Sequence, residues 1–263
     1  METFSMFVDS SGMLAVFVPL FVTSVSLWFA CKAKWNVLFR DLGVPFGLFF
    51  AVLGATGMSL NLSDVSWYGP GTGIMLLTIT YGGLVSALGH FSTFKRSSPD
   101  RHNNEKTASW MVITLILVAF LFFTLWAMVI IGFTDFFNLV ALCVFGTSIV
   151  SAILLSDSEH RTEVLCQASL LSAMISLVFG LVLLYKSFSG EGINEGMYEG
   201  LKIAMNGLLY GLLSYIGLYI VSYKFGTTAK IDAPLMNWHW MEVTGFLIFM
   251  FFAPETLRES LLH

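Results

Sequence analysis

The stretch Gly69–Phe91, "GPGTGIMLLTITYGGLVSALGHF", is apolar enough to cross a membrane, yet it carries threonines, a histidine and several glycines. A similar stretch, "EGLKIAMNGLLYGLLSYIGLYIVSY", occupies Glu199–Tyr223 and has the same Tyr-Gly pair near its middle. Small residues let helix backbones approach each other in lipid, where water does not drive association. The two stretches therefore predict closely packed membrane helices.

The composition of the chain is that of a membrane protein. Of its 263 residues, 56% are hydrophobic and 11% are charged, whereas soluble proteins carry roughly 25% charged residues. Backbone groups in lipid must form hydrogen bonds within their own segment, so the apolar runs predict an all-α, polytopic protein in the lipid bilayer. The net charge of −4 argues against a nucleic-acid partner. Three scattered cysteines predict neither a disulfide framework nor a metal site.

The apolar segments predict about eight transmembrane helices. A first membrane half, 1–107, contains three of these segments, and a second half, 108–263, contains the other five. The segments are 11–31, 43–62, 71–94, 108–132, 136–155, 165–186, 199–223 and 238–253.

The distribution of lysine and arginine predicts the orientation. With the N-terminus outside, ten of these residues lie in inner connections and three lie on the outer side. Because inner loops of membrane proteins are enriched in lysine and arginine, this orientation is favoured over its reverse. We expect an integral protein of a bacterial inner membrane.

An internal duplication is suggested by the Tyr-Gly pairs. Aligning Tyr81-Gly82 with Tyr210-Gly211 brings Gly54 within three residues of Gly180. Helices one to four would then correspond to helices five to eight, as a parallel four-plus-four repeat. The alternative is that any two helical hairpins in lipid look alike.

Small and aromatic residues in these helices are candidates for helix packing. Gly43 and Gly47 form one GxxxG pair, and Gly207 and Gly211 form another. Helices three and seven are therefore expected in the protein interior or at a subunit interface, which includes a homo-oligomer. The candidate packing residues are Gly54, Tyr81, Gly82, Gly180, Gly207, Tyr210 and Gly211.

Polar residues inside the predicted spans are candidates for an ion pathway. Thr78, Thr80 and Asn206 lie in the middle of helices three and seven, as pore-facing residues or as packing residues. The intramembrane ionisable candidates are His90, His239 and Glu242, of which the last two share one helix face at a spacing of three. The alternative for all three is an interfacial position beside Trp238 and Trp240 or at a helix end.

The sequence contains no nucleotide-binding loop, no HExxH motif and no nucleophile elbow. No catalytic residue, metal or cofactor is therefore predicted, and the chain is not expected to be an enzyme. The remaining enzymatic hypothesis is an intramembrane reaction that uses His239 and Glu242.

The glycine-bearing span, the short outer loop and the motif "LLTITYGGLVSA" together resemble the MotA/TolQ/ExbB group of proton-channel membrane proteins. The resemblance covers about residues 45–94 and, more weakly, 174–223. It implies that such helices surround a single-span partner helix, whose acidic residue carries protons. It also implies a pore-facing role for Thr78, although the second copy has Gly207 at that place and Ala51 stands where the family usually has threonine.

Two functions follow as hypotheses. The first is a membrane component of a complex driven by protons or sodium, which packs around a partner helix as a channel or stator-like scaffold. The second is a self-contained small transporter or channel with its path between helices three and seven.

Overall fold

The computed structural model describes residues 10–59, 77–86, 88–89, 108–156, 161–186 and 195–225. This part of the chain is all-helical and contains no strand, which confirms the predicted all-α class. The predicted span 238–253 lies outside the described residues. The α-helices are α1 (Ser10–Cys31), α2 (Trp35–Ser59), α3 (Leu77–Ser86), α4 (Trp110–Ile131), α5 (Leu139–Leu155), α6 (Arg161–Lys186) and α7 (Glu195–Phe225).

Long apolar helices run through the described residues, as expected of a membrane protein. Four of them are long and apolar enough to cross a membrane by length and composition, and three shorter helices are also apolar. The four are Trp35–Thr56, Trp110–Val129, Arg161–Gly180 and Glu199–Phe225.

Local signals set the connection between α4 and α5. Gly132 ends α4 at φ 135°, a backbone conformation that favours glycine because it has no Cβ. A single 3-10 turn, Phe133–Phe136, follows. Asn138 then caps α5, because its side-chain oxygen accepts a hydrogen bond from the backbone N–H of Ala141 at 3.0 Å.

The helices divide into a buried centre and an apolar periphery. The apolar windows of α2 and α7 are each 72% buried within the protein, whereas that of α4 is 28% buried. Met111, Leu115 and Phe122 on α4 are more than 60% exposed. Exposed apolar side chains of this kind suit contact with lipid. The greater burial of α2 and α7 places these two helices in the core of the bundle.

Helices α2 and α3 form a tightly packed pair, here called the first hairpin. A Cβ placed on Gly82 would lie 2.6 Å from the carbonyl oxygen of Gly43 and 2.8 Å from the Cα of Gly47. The hydroxyl of Ser86 donates a hydrogen bond to the carbonyl oxygen of Arg40 at 2.7 Å. The two backbones touch because glycine occupies both sides of the contact.

Helices α6 and α7 form the second hairpin, in which glycines contact both backbone atoms and small side chains. A Cβ on Gly211 would lie 2.5 Å from the Cβ of Ala173 and 2.5 Å from the carbonyl oxygen of Ser169. A Cβ on Gly207 would overlap the side chain of Ser176. Close approach here depends on small side chains as well as on glycine.

The predicted boundary of the second span is corrected by the structure. The sequence segment begins at residue 43, but α2 begins eight residues earlier, at Trp35. Arg40 and Asp41 therefore lie inside a candidate membrane span rather than in a connection. The apolar residues between Trp35 and Phe39 extend the helix because they pack on α1, where the rings of Trp28 and Trp35 lie 6.4 Å apart.

Candidate functional site

The predicted pathway residues occupy different environments. Thr78 on α3 is 2% exposed, and its carbonyl oxygen lies 2.8 Å from the place where a Cβ on Gly47 would stand. Thr80, two residues later, is exposed. Asn206 on α7 is fully buried, next to the glycine that packs against Ser176. Thr78 and Asn206 are therefore polar groups inside the bundle, each in the second helix of its hairpin.

The candidate packing residues also differ from one another. Gly82, Gly207 and Gly211 lie at the helix contacts described above, and Gly180 packs against Gly200 and Ala204 of α7. Gly54 is different, because it is exposed and its Cβ direction points into open space. The predicted ionisable residues His90, His239 and Glu242 lie outside the described residues.

The two tyrosines of the Tyr-Gly pairs contact α1 and α5, the first helices of the two proposed repeats. The ring of Tyr81 lies 6.3 Å from that of Phe17 on α1. The ring of Tyr210 lies 6.4 Å from that of Phe145 on α5. Tyr210 also donates a hydrogen bond to the carbonyl oxygen of Phe136 at 2.5 Å, which holds the connection before α5 against α7.

An ion pair of two adjacent residues on α2 is linked to the second hairpin by a tyrosine. The carboxylate of Asp41, a residue that is 6% exposed, accepts hydrogen bonds from Arg40 Nε at 2.5 Å and Arg40 Nη2 at 3.0 Å. The hydroxyl of Tyr219 on α7 donates a third hydrogen bond to Asp41 Oδ2 at 2.7 Å. Asp41 is therefore held from its own helix and from the second hairpin at once.

A column of buried tyrosines on α7 contains the residue that bonds to this carboxylate. Tyr215, Tyr219 and Tyr223 recur every four residues and are each at most 5% exposed. The ring centroid of Tyr219 lies 6.1 Å from that of Tyr215 and 5.8 Å from that of Tyr223. Tyr219, the middle member of the column, carries the hydroxyl that bonds to Asp41.

An ionisable pair inside a membrane span is costly and is a candidate functional site for that reason. Arg40 balances the charge of Asp41, and both carboxylate oxygens accept hydrogen bonds. A carboxylate held in this way fixes one helix against another, because removal of either partner leaves a buried charge. The cluster suits a mechanical link between hairpins better than the exchange of a bound ion.

The sequence interpretation missed this cluster, since it placed Glu242 as the only acidic residue inside a span. Asp41 lies in a described span and corrects that statement. Two signals pointed to it. The apolar run before Arg40 is long enough to extend the helix, and the spacing of Tyr215, Tyr219 and Tyr223 puts three hydroxyls on one face of α7.

No group of three or more histidine, cysteine, aspartate or glutamate side chains that could hold a metal ion occurs among the described residues. Comparisons with protein-family models, with curated proteins and with solved structures give no match.

Proposed function

We propose that the chain is a non-enzymatic membrane component of a complex driven by protons or sodium, in which its hairpins pack around a transmembrane helix of a partner. The observation that supports this most is the common register of the two hairpins. Gly82 lies against Gly43 and Gly47, and Gly211 lies against Ser169 and Ala173. Ser169 and Ala173 lie 126 positions after Gly43 and Gly47, and Gly180 lies the same 126 positions after Gly54.

The proposal includes a duplication of the membrane unit. In each half the first helix packs on the second, and it places a phenylalanine ring beside the tyrosine of the Tyr-Gly pair. In both halves the first helix contacts the second, the second contacts the third, and the first contacts the tyrosine of the third. These shared contacts favour a parallel repeat over a chance likeness of two hairpins. The complete unit has four spans per half, eight in all, with the N-terminus outside, in a bacterial inner membrane.

The partner is a single-span membrane protein with an acidic residue, as the resemblance to the MotA/TolQ/ExbB group implies. The charges of this chain support that division of roles. Asp41, the buried carboxylate of the described bundle, is already balanced by Arg40 and hydrogen-bonded by Tyr219. Both oxygens of this carboxylate accept hydrogen bonds from within the chain, so we assign the carrier group to the partner.

Purification from native membranes in mild detergent, with mass measurement of the intact complex, tests this function. The expected species contains several copies of this chain and a smaller single-span protein. Recovery of a monomer that carries no second protein would overturn the proposal. Exchange of the partner's acidic residue for its amide should abolish ion-driven work while leaving the mass of the complex unchanged.

A second candidate, a self-contained transporter or channel, is favoured by the buried polar groups of α3 and α7. Thr78 and Asn206 are at most 2% exposed, although each lies in an apolar helix. Flux through liposomes that contain this chain alone tests the idea. Thr78→Ala and Asn206→Ala should each reduce the flux, whereas the exposed Thr80→Ala serves as the matched control and should not.

A further inference from the structure

We infer that the exposed face of α6 is covered by α3 of a second copy of this chain, in the way that α2 is covered by α7 within one chain. The inference rests on the proposed duplication, and it names one surface and one occupant for the oligomer. It comes from a comparison of corresponding positions on α2 and α6.

The exposed face of α6 forms a stripe on the side opposite α7. Gln167 is exposed, and Leu171, Val178 and Val182 are 57%, 54% and 57% exposed. The face also holds a shallow apolar groove. Its lining residues are Met174, Ile175, Val178, Phe179 and Val182.

The corresponding stripe of α2 is buried. Asp41, Pro45, Val52 and Thr56 stand at the positions of the four exposed α6 residues, and all four are buried. This stripe lies on the side opposite α3, and its Asp41 bonds to Tyr219 of α7. One surface is therefore covered in the first copy of the unit and open in the second.

Gln167 separates this face from an ordinary lipid-facing surface. Its position corresponds to Asp41, whose carboxylate meets a tyrosine hydroxyl from the neighbouring hairpin. Gln167 lies six residues after the start of the candidate span Arg161–Gly180, where a primary amide that faces lipid is unfavourable because lipid offers no hydrogen bonds. A protein neighbour that offers a hydrogen bond removes this cost, and a head-to-tail repeat of the unit brings α3 of a second copy to this face.

The contact within the chain fixes the register of the contact between chains. Helix α4 runs antiparallel to α7, because Ala108 bonds to Tyr223 and Leu117 lies beside Gly217. It runs parallel to α2, so α2 and α7 are antiparallel. Asp41 lies beside Tyr219. Because the two helices are antiparallel, Val52, three turns after Asp41, faces Leu208, three turns before Tyr219.

In the proposed contact between two copies, Val178 on α6 takes the place of Val52, and Ile79 on α3 takes the place of Leu208. Val178 is exposed and Ile79 is half-buried. The neighbouring Gly83 has no atom within 4 Å of its Cβ direction, so this side of α3 has room for another helix. A disulfide between cysteines at 178 and 79 therefore reports the proposed interface.

The experiment uses the full chain in its native membrane with the exposed Cys143 changed to serine. Two tagged copies are co-expressed, one with Ile79→Cys and one with Val178→Cys, and the membranes are treated with a mild oxidant. The expected result is a heterotypic disulfide-linked dimer on a non-reducing gel. Val118→Cys on α4, equally exposed, replaces Val178→Cys as the matched control and should give at most background dimer.

Absence of the dimer, or a yield equal to the α4 control, would overturn the inference. A disulfide within one chain between Val178→Cys and Leu247→Cys would do the same, because it assigns the face to segment 238–253. Recovery of the single-span partner is scored on the same membranes. Its presence without the cross-link rejects this interface alone, whereas its absence rejects the proposed function.

Discussion

The two hairpins reach a similar closeness by different means. In the first, α2 and α3 touch through glycine on both sides, so the atoms nearest Gly82 are the backbone atoms of Gly43 and Gly47. In the second, Gly207 of α7 meets the side chain of Ser176, while Gly211 meets both the side chain of Ala173 and the backbone of Ser169. A clash with backbone atoms is relieved only by moving the helix, whereas a clash with a side chain can be relieved by a smaller residue at that position. A larger residue should therefore be accommodated more easily at Gly207, which faces a side chain, than at Gly82, which faces backbone.

The hairpins also differ in their surroundings. The apolar window of α2 is 72% buried, and that of α6 is 44% buried. Helix α2 contacts α1, α3, α4 and α7, while one whole face of α6 remains open. A change in the first hairpin should consequently disturb the whole bundle, and a change in the second should be more local.

The largest effect is expected for Gly82→Ala in the first hairpin. The new methyl group would stand 2.6 Å from the carbonyl oxygen of Gly43, so α2 and α3 must separate. We expect the free energy of unfolding to fall by about 3 kcal/mol. Titration of the detergent-solubilised protein with a denaturing surfactant, followed by circular dichroism, measures the change.

Gly83→Ala is the matched control for Gly82→Ala. It is the next residue on the same helix, and its Cβ direction has no atom within 4 Å. Its free energy of unfolding should change by less than about 0.5 kcal/mol. Equal losses in the two variants would show that helix propensity, not the contact with α2, limits stability.

A smaller and reversible effect is expected for Gly207→Ala in the second hairpin. The methyl group would overlap the side chain of Ser176, at a cost of about 2 kcal/mol. Ser176→Gly in the same chain should restore most of the loss, because it reproduces the glycine-on-glycine contact of the first hairpin. The double-mutant cycle is measured by the same surfactant titration, and additive losses would contradict the comparison.

Tyr219→Phe tests the link between the hairpins. It removes one hydrogen bond to a carboxylate that Arg40 still balances, so the expected loss is about 1.5 kcal/mol. Asp41→Asn should cost more, since it leaves the charge of Arg40 unbalanced inside the bundle. Surfactant titration of both single variants and the double variant gives the coupling energy. A coupling energy near zero would mean that the contact does not hold α7 against α2.

The smallest effect is expected for Tyr210→Phe. The hydroxyl of Tyr210 holds the connection before α5 through the carbonyl oxygen of Phe136. Hydrogen bonds between membrane helices contribute about 0.6 kcal/mol on average, and the variant should lose about that amount. Amide hydrogen exchange should rise at residues 136–138 and stay unchanged at Tyr219, and a rise at both would show a global rather than local effect.

Much of this fold follows from local patterns. Each predicted segment from 11–31 to 199–223 contains a helix in the structure, because about 20 apolar residues in lipid have no other stable form. The glycines of α3 and α7 were named from their spacing alone. Gly54 resembles them in sequence and yet faces open space, since spacing does not reveal which side of a helix has a neighbour.

The sequence by itself determined the helical class, the order of the helices and the two Tyr-Gly positions. Tertiary structure decided which faces are covered: the α2 stripe that begins at Asp41 is buried, and the α6 stripe that begins at Gln167 is open. It also brought Tyr219 to Asp41 across 178 residues. The reason is that apolar residues have the same hydropathy whether they face lipid or another helix. Only the arrangement of the neighbouring helices therefore distinguishes a covered face from an open one.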